Sequence, residues 1–441
     1  MSLKPYSEYK DTGIQWLGNI PKQWKLTPLK FHFKIVGGST PKSDNKDYWD
    51  GDIKWVTPSD LSKLDSFYIH DSQRKITLDG LNSCGSSLVP KGSVVLSTRA
   101  PIGTIGIAFT EVCTNQGCKS LVPDNQTNPI FFTYLLSISS VELNLRGKGT
   151  TFLELSGDEL GSFKVGFPTP REQSIIANFL DRETAKLDTL IAKQEKLIEL
   201  LQEKRQAIIS HAVTKGLDPN VKMKDSGVEW LGMVPEHWIC AAIKHIVSIP
   251  ITDGPHETPN FYDFGVPFVS AEAVSGGQID FSKIRGYISK EDHEKYSKKY
   301  RPSLGDVYMI KSGATTGVTA IVETDIEFNI WSPLAVIRCG SKMLPRFTLY
   351  FMRSLNFQEA VSLNWSFGTQ QNIGMNVIEN LSITIPPLKE QLNIIKYLDE
   401  LTSNIDLIIK KSKKSIELAK EHRTALISAA VTGKIDVREY A

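Results

Sequence analysis

No stretch of this 441-residue chain approaches the ~18 consecutive apolar residues that a membrane-spanning helix needs. Its opening, MSLKPYSEYKDTG, has no apolar core of the kind that directs secretion. Cysteine is scarce and odd in number: Cys84, Cys113, Cys118, Cys240 and Cys339, with no CxxC pair. That usage fits reduced thiols and a cytoplasmic location. Cys113 and Cys118 read as core thiols, not metal ligands. Neither charge dominates, with 51 Lys and Arg against 49 Asp and Glu. Such a balance neither requires nor excludes nucleic acid, because clustering on one face decides that.

The signatures of catalysis are missing as well. There is no GxxxxGK[ST] phosphate loop, since KSGATTG lacks the lysine at the right place. Neither GxGxxG nor HExxH occurs, and no GxSxG elbow is present. An NPPY-type tetrapeptide, used by amino-methyltransferases around the target amine, is also absent. His211 aligns with Ala429 in the repeat described below, which argues against a shared chemical duty. DGPHE, residues 253–257, is the most enzyme-like cluster; it reads as a loop, with no counterpart at the same place in the first half. These absences leave a binder with two heads.

What the chain does have is repetition. FPTPREQ…VTKGLD, residues 167–218, returns as IPPLKEQ…VTGKID, residues 385–436, at a constant offset with about 23 of 52 positions identical. YKDTGIQWLGNIPKQW, residues 9–24, returns as MKDSGVEWLGMVPEHW, residues 223–238. In that pair Trp16 matches Trp230, Pro21 matches Pro235 and Trp24 matches Trp238. Glycine and proline mark turns and tryptophan makes a large apolar anchor, so each copy reads as a docking segment. Between these repeats the halves diverge. GSVVLSTRAPIGTIGIAF (92–109) and GDVYMIKSGATTGVTAIV (305–322) both read strand, glycine-containing loop, strand. Residues 128–145 and 344–361 have apolar spacing of a helix starting near a proline. One frame with two sets of loops predicts one scaffold carrying two surfaces.

The repeat from 167 predicts a helix of ~44 residues, roughly 65 Å long, too long for one compact domain to enclose. Thr169, Pro170 and Glu172 form its start and Gly216 its stop. A seven-residue seam runs Leu180, Leu187, Gln194, Leu201, Ile208, and the second copy has Leu398, Ile405, Ser412, Ala419, Leu426. Gln194 and Ser412 interrupt both seams at one level, as register-setting polar residues do in coiled coils. Pairing the copies within one chain is the economical solution. The expected fold is α+β: two mixed α/β domains joined by two long helices in an antiparallel coiled coil, with a pseudo-twofold internal repeat. The expected boundaries are 1–166 for the first domain, 167–218 for the first helix, 219–384 for the second domain and 385–441 for the second helix.

The P-x-x-[RK]-E-Q helix starts, the RQAIISHAVTKGLD and RTALISAAVTGKID helix ends, and the paired GxxWLGxxPxxW segments together resemble the specificity subunits of type I restriction–modification systems. YWDGDIKWVTPSDL and STRAPIGTIGIA are similar to segments of that family's target-recognition domains. The resemblance covers nearly the whole chain. It implies that each variable domain reads one half of a bipartite DNA site and that the helices set the gap between the halves. It also implies docking of two modification subunits, which use S-adenosylmethionine to methylate adenine N6, and of two restriction-translocase subunits using ATP and Mg2+. None of those cofactors would belong to this chain, and no catalysis would reside in it.

Base reading needs Arg or Lys for guanine, Asn or Gln for adenine, and Ser or Thr for either. The first domain offers Ser97, Thr98 and Arg99 on one loop and Arg146, Lys148 and Thr150 on another. The second offers Lys311, Ser312, Thr315 and Thr316, then Thr369, Gln370, Gln371 and Asn372. Two rival readings compete with DNA specificity: a self-contained enzyme of duplicated domains, and a coiled-coil scaffold that binds proteins only.

Overall fold

The computed structural model describes residues 3–99, 101–149, 153–367 and 371–440. The chain divides into two compact units, Met1–Gln194 with Lys414–Ala441, and Glu195–Lys413. Each unit thus takes part of both long helices, Pro170–Lys215 (46 residues) and Leu388–Val431 (44 residues). None of the described helices is long and apolar enough to cross a membrane.

The first unit is built on a five-stranded sheet in the order Phe33–Gly37, Cys118–Pro123, Val94–Ser97, Ile105–Ala108, Tyr68–Ile69. Its pairs are antiparallel except the last. The sequence VVLS has no alternation because it is the middle strand and is buried on both faces. One core runs from this sheet through Phe131, Phe132 and Leu135 to Leu180 of the first long helix and Leu426 and Val431 of the second. Burying each such side chain is worth roughly 1.5–3 kcal/mol.

The second unit repeats the plan with a four-stranded sheet, Thr252–Asp253, Leu334–Ile337, Val307–Ile310, Thr319–Ile321, antiparallel throughout. Ile209 and Val213 of the first long helix share its core with Ile394 and Leu398 of the second. So within each unit the opening turns of one long helix lie beside the closing turns of the other. An ion pair joins the helices in each: Arg423 to Asp188 at 2.9 Å, and Arg205 to Asp406 at 3.3 Å. Of the seam's interrupting residues, Gln194 is half-buried and Ser412 buried.

Residues 128–145 and 344–361 each form two helices where one was expected: Pro129–Ser137 with Ser140–Leu145, and Pro345–Met352 with Leu355–Leu363. Serine makes both breaks. Ser354 is extended (ψ 151) and its hydroxyl caps Phe357 N–H, while the Ser139 hydroxyl bonds back to Leu135 O.

The repeated motifs act as fasteners. Thr169 caps the first long helix through Glu172 N–H, as expected. The Glu172 carboxylate is used elsewhere, accepting from Trp24 Nε1 at 3.0 Å and the Tyr6 hydroxyl at 2.8 Å. Glu390 likewise accepts from Trp238 Nε1 at 2.9 Å. The neighbouring glutamines, Gln173 and Gln391, are fully buried and accept from Asn128 N–H and Leu344 N–H, where the short helices begin. The P-x-x-[RK]-E-Q motif therefore ties its long helix to the tryptophan segment and to the variable domain at once. The ends use left-handed glycines, Gly216 (φ 80) and Gly433 (φ 74).

Candidate nucleic-acid interface

In the first unit two loops meet. One leaves the strand Val94–Ser97; the other is a hairpin in which Lys148 and Glu154 exchange both backbone hydrogen bonds at 2.9 Å. Leu155 N–H donates to Thr98 O at 3.0 Å and joins them. Ser97 and Thr98 are fully buried. The Ser97 hydroxyl donates to Pro101 O and accepts from Thr104 N–H, and Thr98 Oγ1 donates to Gly117 O. These two residues, expected among the base readers, shape the loop from inside instead of facing solvent.

Arg99 is half-exposed and its guanidinium meets Glu154 at 2.7 Å. Lys148 is 80% exposed and reaches Glu159 at 2.7 Å. That contact holds the Glu159 carboxyl below its usual range and the Lys148 ammonium above its own. Arg146 lies over the Phe163 ring at 5.2 Å, with Glu159 at 3.9 Å. Exposed pairs of this kind are worth about 0–1 kcal/mol. An incoming polyanion can therefore displace their carboxylates at little cost. Thr150 lies outside the described residues.

The second unit has the same two-loop platform. Ile373 N–H donates to Lys311 O at 2.9 Å and Gly313 N–H to Gln371 O at 3.0 Å. Ser366 pairs with Asn372 as Lys148 does with Glu154. Ser312 bridges Asn372, in the register that Arg99 and Glu154 occupy in the first unit. Gln371 and Asn372 are exposed and Thr315 is half-buried. Thr316 is buried, and its hydroxyl donates to Gly313 O at 2.7 Å. The Lys311 side chain is only 14% exposed and turns toward Asp253 at 3.3 Å. Thr369 and Gln370 fall outside the described residues. The frame is shared and the chemistry differs: Arg, Lys and Glu on one platform, Ser, Asn and Gln on the other.

Three further residues belong to these platforms: Glu154, Asp253 and Lys299. Glu154 gave no local signal, because its place between Arg99 and Lys148 is a matter of long-range strand register. The DGPHE segment does have a structural counterpart, contrary to the sequence reading. Gly38 and Gly254 each follow the sheet's edge strand, and a Cβ on either would come within 2.0 Å of a carbonyl oxygen, Asn115 O or Ile330 O. Only that glycine is shared, so alignment by residue type missed it.

Each platform is also anchored to the helices. Tyr134 donates to Asp181 at 2.8 Å, and Tyr350 to Asp399 at 2.5 Å. Elsewhere the chemistry is quiet. Cys113 and Cys118 are fully buried, and burial pushes the Cys113 thiol up to about 11.

A family model described as the type I restriction modification DNA specificity domain matches residues 21–200 and again 247–418. The MjaIX type I restriction enzyme specificity subunit of Methanocaldococcus jannaschii is 27% identical, over 98% of both chains. The EcoBI specificity subunit of Escherichia coli is 24% identical, over 79% of this chain and 76% of its own. Among solved structures, one described under the complex assembly and conformational transition of the type I R-M system matches with a TM-score of 0.72. That match covers 93% of this chain and 98% of the other at 17% identity. The HsdS subunit from Thermoanaerobacter tengcongensis matches with a TM-score of 0.58 at 17% identity, over 94% and 98%. Both structural matches concern the fold.

Proposed function

The chain belongs to the type I restriction–modification DNA specificity family, and from that premise we propose that it reads a bipartite duplex site, one half with each unit. It is a recognition subunit and not the catalyst of its complex. The observation that carries the bipartite reading is the repeated platform with unlike side chains. Arg99 and Lys148 suit guanine and phosphate, whereas Gln371 and Asn372 suit adenine. Two different readers on one frame are what two unlike half-sites require.

The long helices, roughly 69 and 66 Å at 1.5 Å per residue, would set the gap between the half-sites. They would also dock two modification subunits, which bring S-adenosylmethionine and flip the target adenine out of the duplex. Two restriction-translocase subunits using ATP and Mg2+ would complete a cytoplasmic nuclease. This chain's own residues bind and orient the flanking DNA.

The test is to map N6-methylated adenines in DNA modified by this chain together with its methyltransferase subunits. Two short unlike sequences at a fixed spacing are expected. A single contiguous site, or methylation without sequence preference, would sink the proposal. The chain alone should show no turnover.

A further inference from the structure

Asp253 is fully buried at the edge of the second unit's sheet, an environment that a carboxylate tolerates only when paired. Two lysines and a histidine surround it. Lys299 contacts Oδ1 and also donates to Gly254 O at 3.1 Å; Lys311 and His256 each stand 3.3 Å from Oδ2. Oδ2 makes no hydrogen bond, so neither contact is one, and the Lys311 contact is ionic. Beside the cluster is a cavity of about 270 Å³, lined by Asp253, His256, Lys295, Lys299 and Asn329 among others. Lys295 is neutralised by Glu257. Lys311 lies outside that lining, and Lys299 and Lys311 against the single Asp253 carboxylate leave one surplus positive charge in the cluster itself.

The cluster is continuous with the reading platform. Lys311 is the first residue of the reading loop, and its carbonyl holds the other loop through Ile373 N–H. In the first unit the corresponding positions are Gly37 and Thr98, and neither carries charge.

We propose that this cluster is a phosphate subsite for one backbone phosphate of the second half-site, with Asp253 as the positioning residue that presets Lys299 and Lys311. The inference rests on the DNA reading above and adds a contact to it. One surplus charge matches one phosphodiester. The buried carboxylate fixes two flexible lysines before DNA arrives, so their ordering cost is met in folding and not in binding.

The experiment uses the full chain in complex with its modification subunits and a duplex carrying the mapped site. Phosphates of the second half-site are neutralised one at a time as methylphosphonates. In the wild type, one substitution should weaken binding; in Lys299→Met that position should lose its effect. The slope of log K against log salt should fall by about 0.9 in the variant. Asp253→Asn removes a negative charge, so a surface acting by charge alone would bind more tightly. Positioning predicts the reverse: weaker specific binding, non-specific binding undiminished, and the first half-site unaffected. Should Asp253→Asn fail to fold, the Lys299→Met scan decides. Site-specific binding with the same scan and slope in Lys299→Met would overturn the subsite alone. Absence of any site-specific binding by the wild-type complex would overturn the DNA reading with it.

Discussion

Glu172 and Glu390 hold the same place in the repeat, yet their loss should cost different amounts. Glu172 is 5% exposed, and it receives two donors that are themselves buried, Tyr6 and Trp24. Burial and the adjoining carboxylate push the Tyr6 hydroxyl far above the usual tyrosine range. Glu172→Ala leaves a buried phenol and a buried indole N–H without a partner, each at about 1–3 kcal/mol, or about 3–4 kcal/mol together. The Glu390 side chain is 39% exposed and bonds one buried donor, Trp238 Nε1, and the exposed His237. Water next to the site can serve the orphaned indole, so Glu390→Ala should cost about 1 kcal/mol. For units of this size 1 kcal/mol moves Tm by roughly 2–4 °C. Thermal unfolding followed by circular dichroism should show a loss of roughly 6–16 °C for Glu172→Ala and roughly 2–4 °C for Glu390→Ala. Glu172→Gln, which keeps an acceptor, should fall between. Equal losses from the two alanine variants would refute the claim that burial of the donors sets the cost.

Other consequences are open to direct measurement. Arg99→Ala should weaken or relax recognition of one half-site, read by methylation mapping; equal change in both halves would defeat the two-reader proposal. One heptad inserted into each long helix adds ~10 Å, about three base pairs at 3.4 Å each. The mapped gap should lengthen while both half-site sequences stay the same. The Cys113 and Cys339 thiols, raised by burial from 9.0 to about 11, stay protonated in the fold after the unfolded chain has begun to ionise. Their contribution is fully present below about pH 9 and is lost as pH rises toward 11. Denaturant midpoints across that window should fall, by less in Cys113→Ala.

The sequence determined the repeat, the two long helices, the cap and stop of the first, and the family. Those are local or periodic signals, and each was carried by residue type: Thr169 and Pro170 at a start, Gly216 at a stop, a tryptophan anchor in each half. Strand, loop and strand at 92–109 and 305–322 were legible for the same reason. Tertiary structure alone decided which loop residues are free to bind. Ser97, Thr98 and Thr316 look like readers by type, but their hydroxyls are consumed by backbone carbonyls, within the same loop for Ser97 and Thr316 and across the sheet at Gly117 for Thr98. Glu154 is placed beside Arg99 by strand register, and Asp253 beside Lys299 and Lys311 by sheet packing. A side chain's type fixes what it could bond. Only the packed fold fixes whether that capacity is already spent.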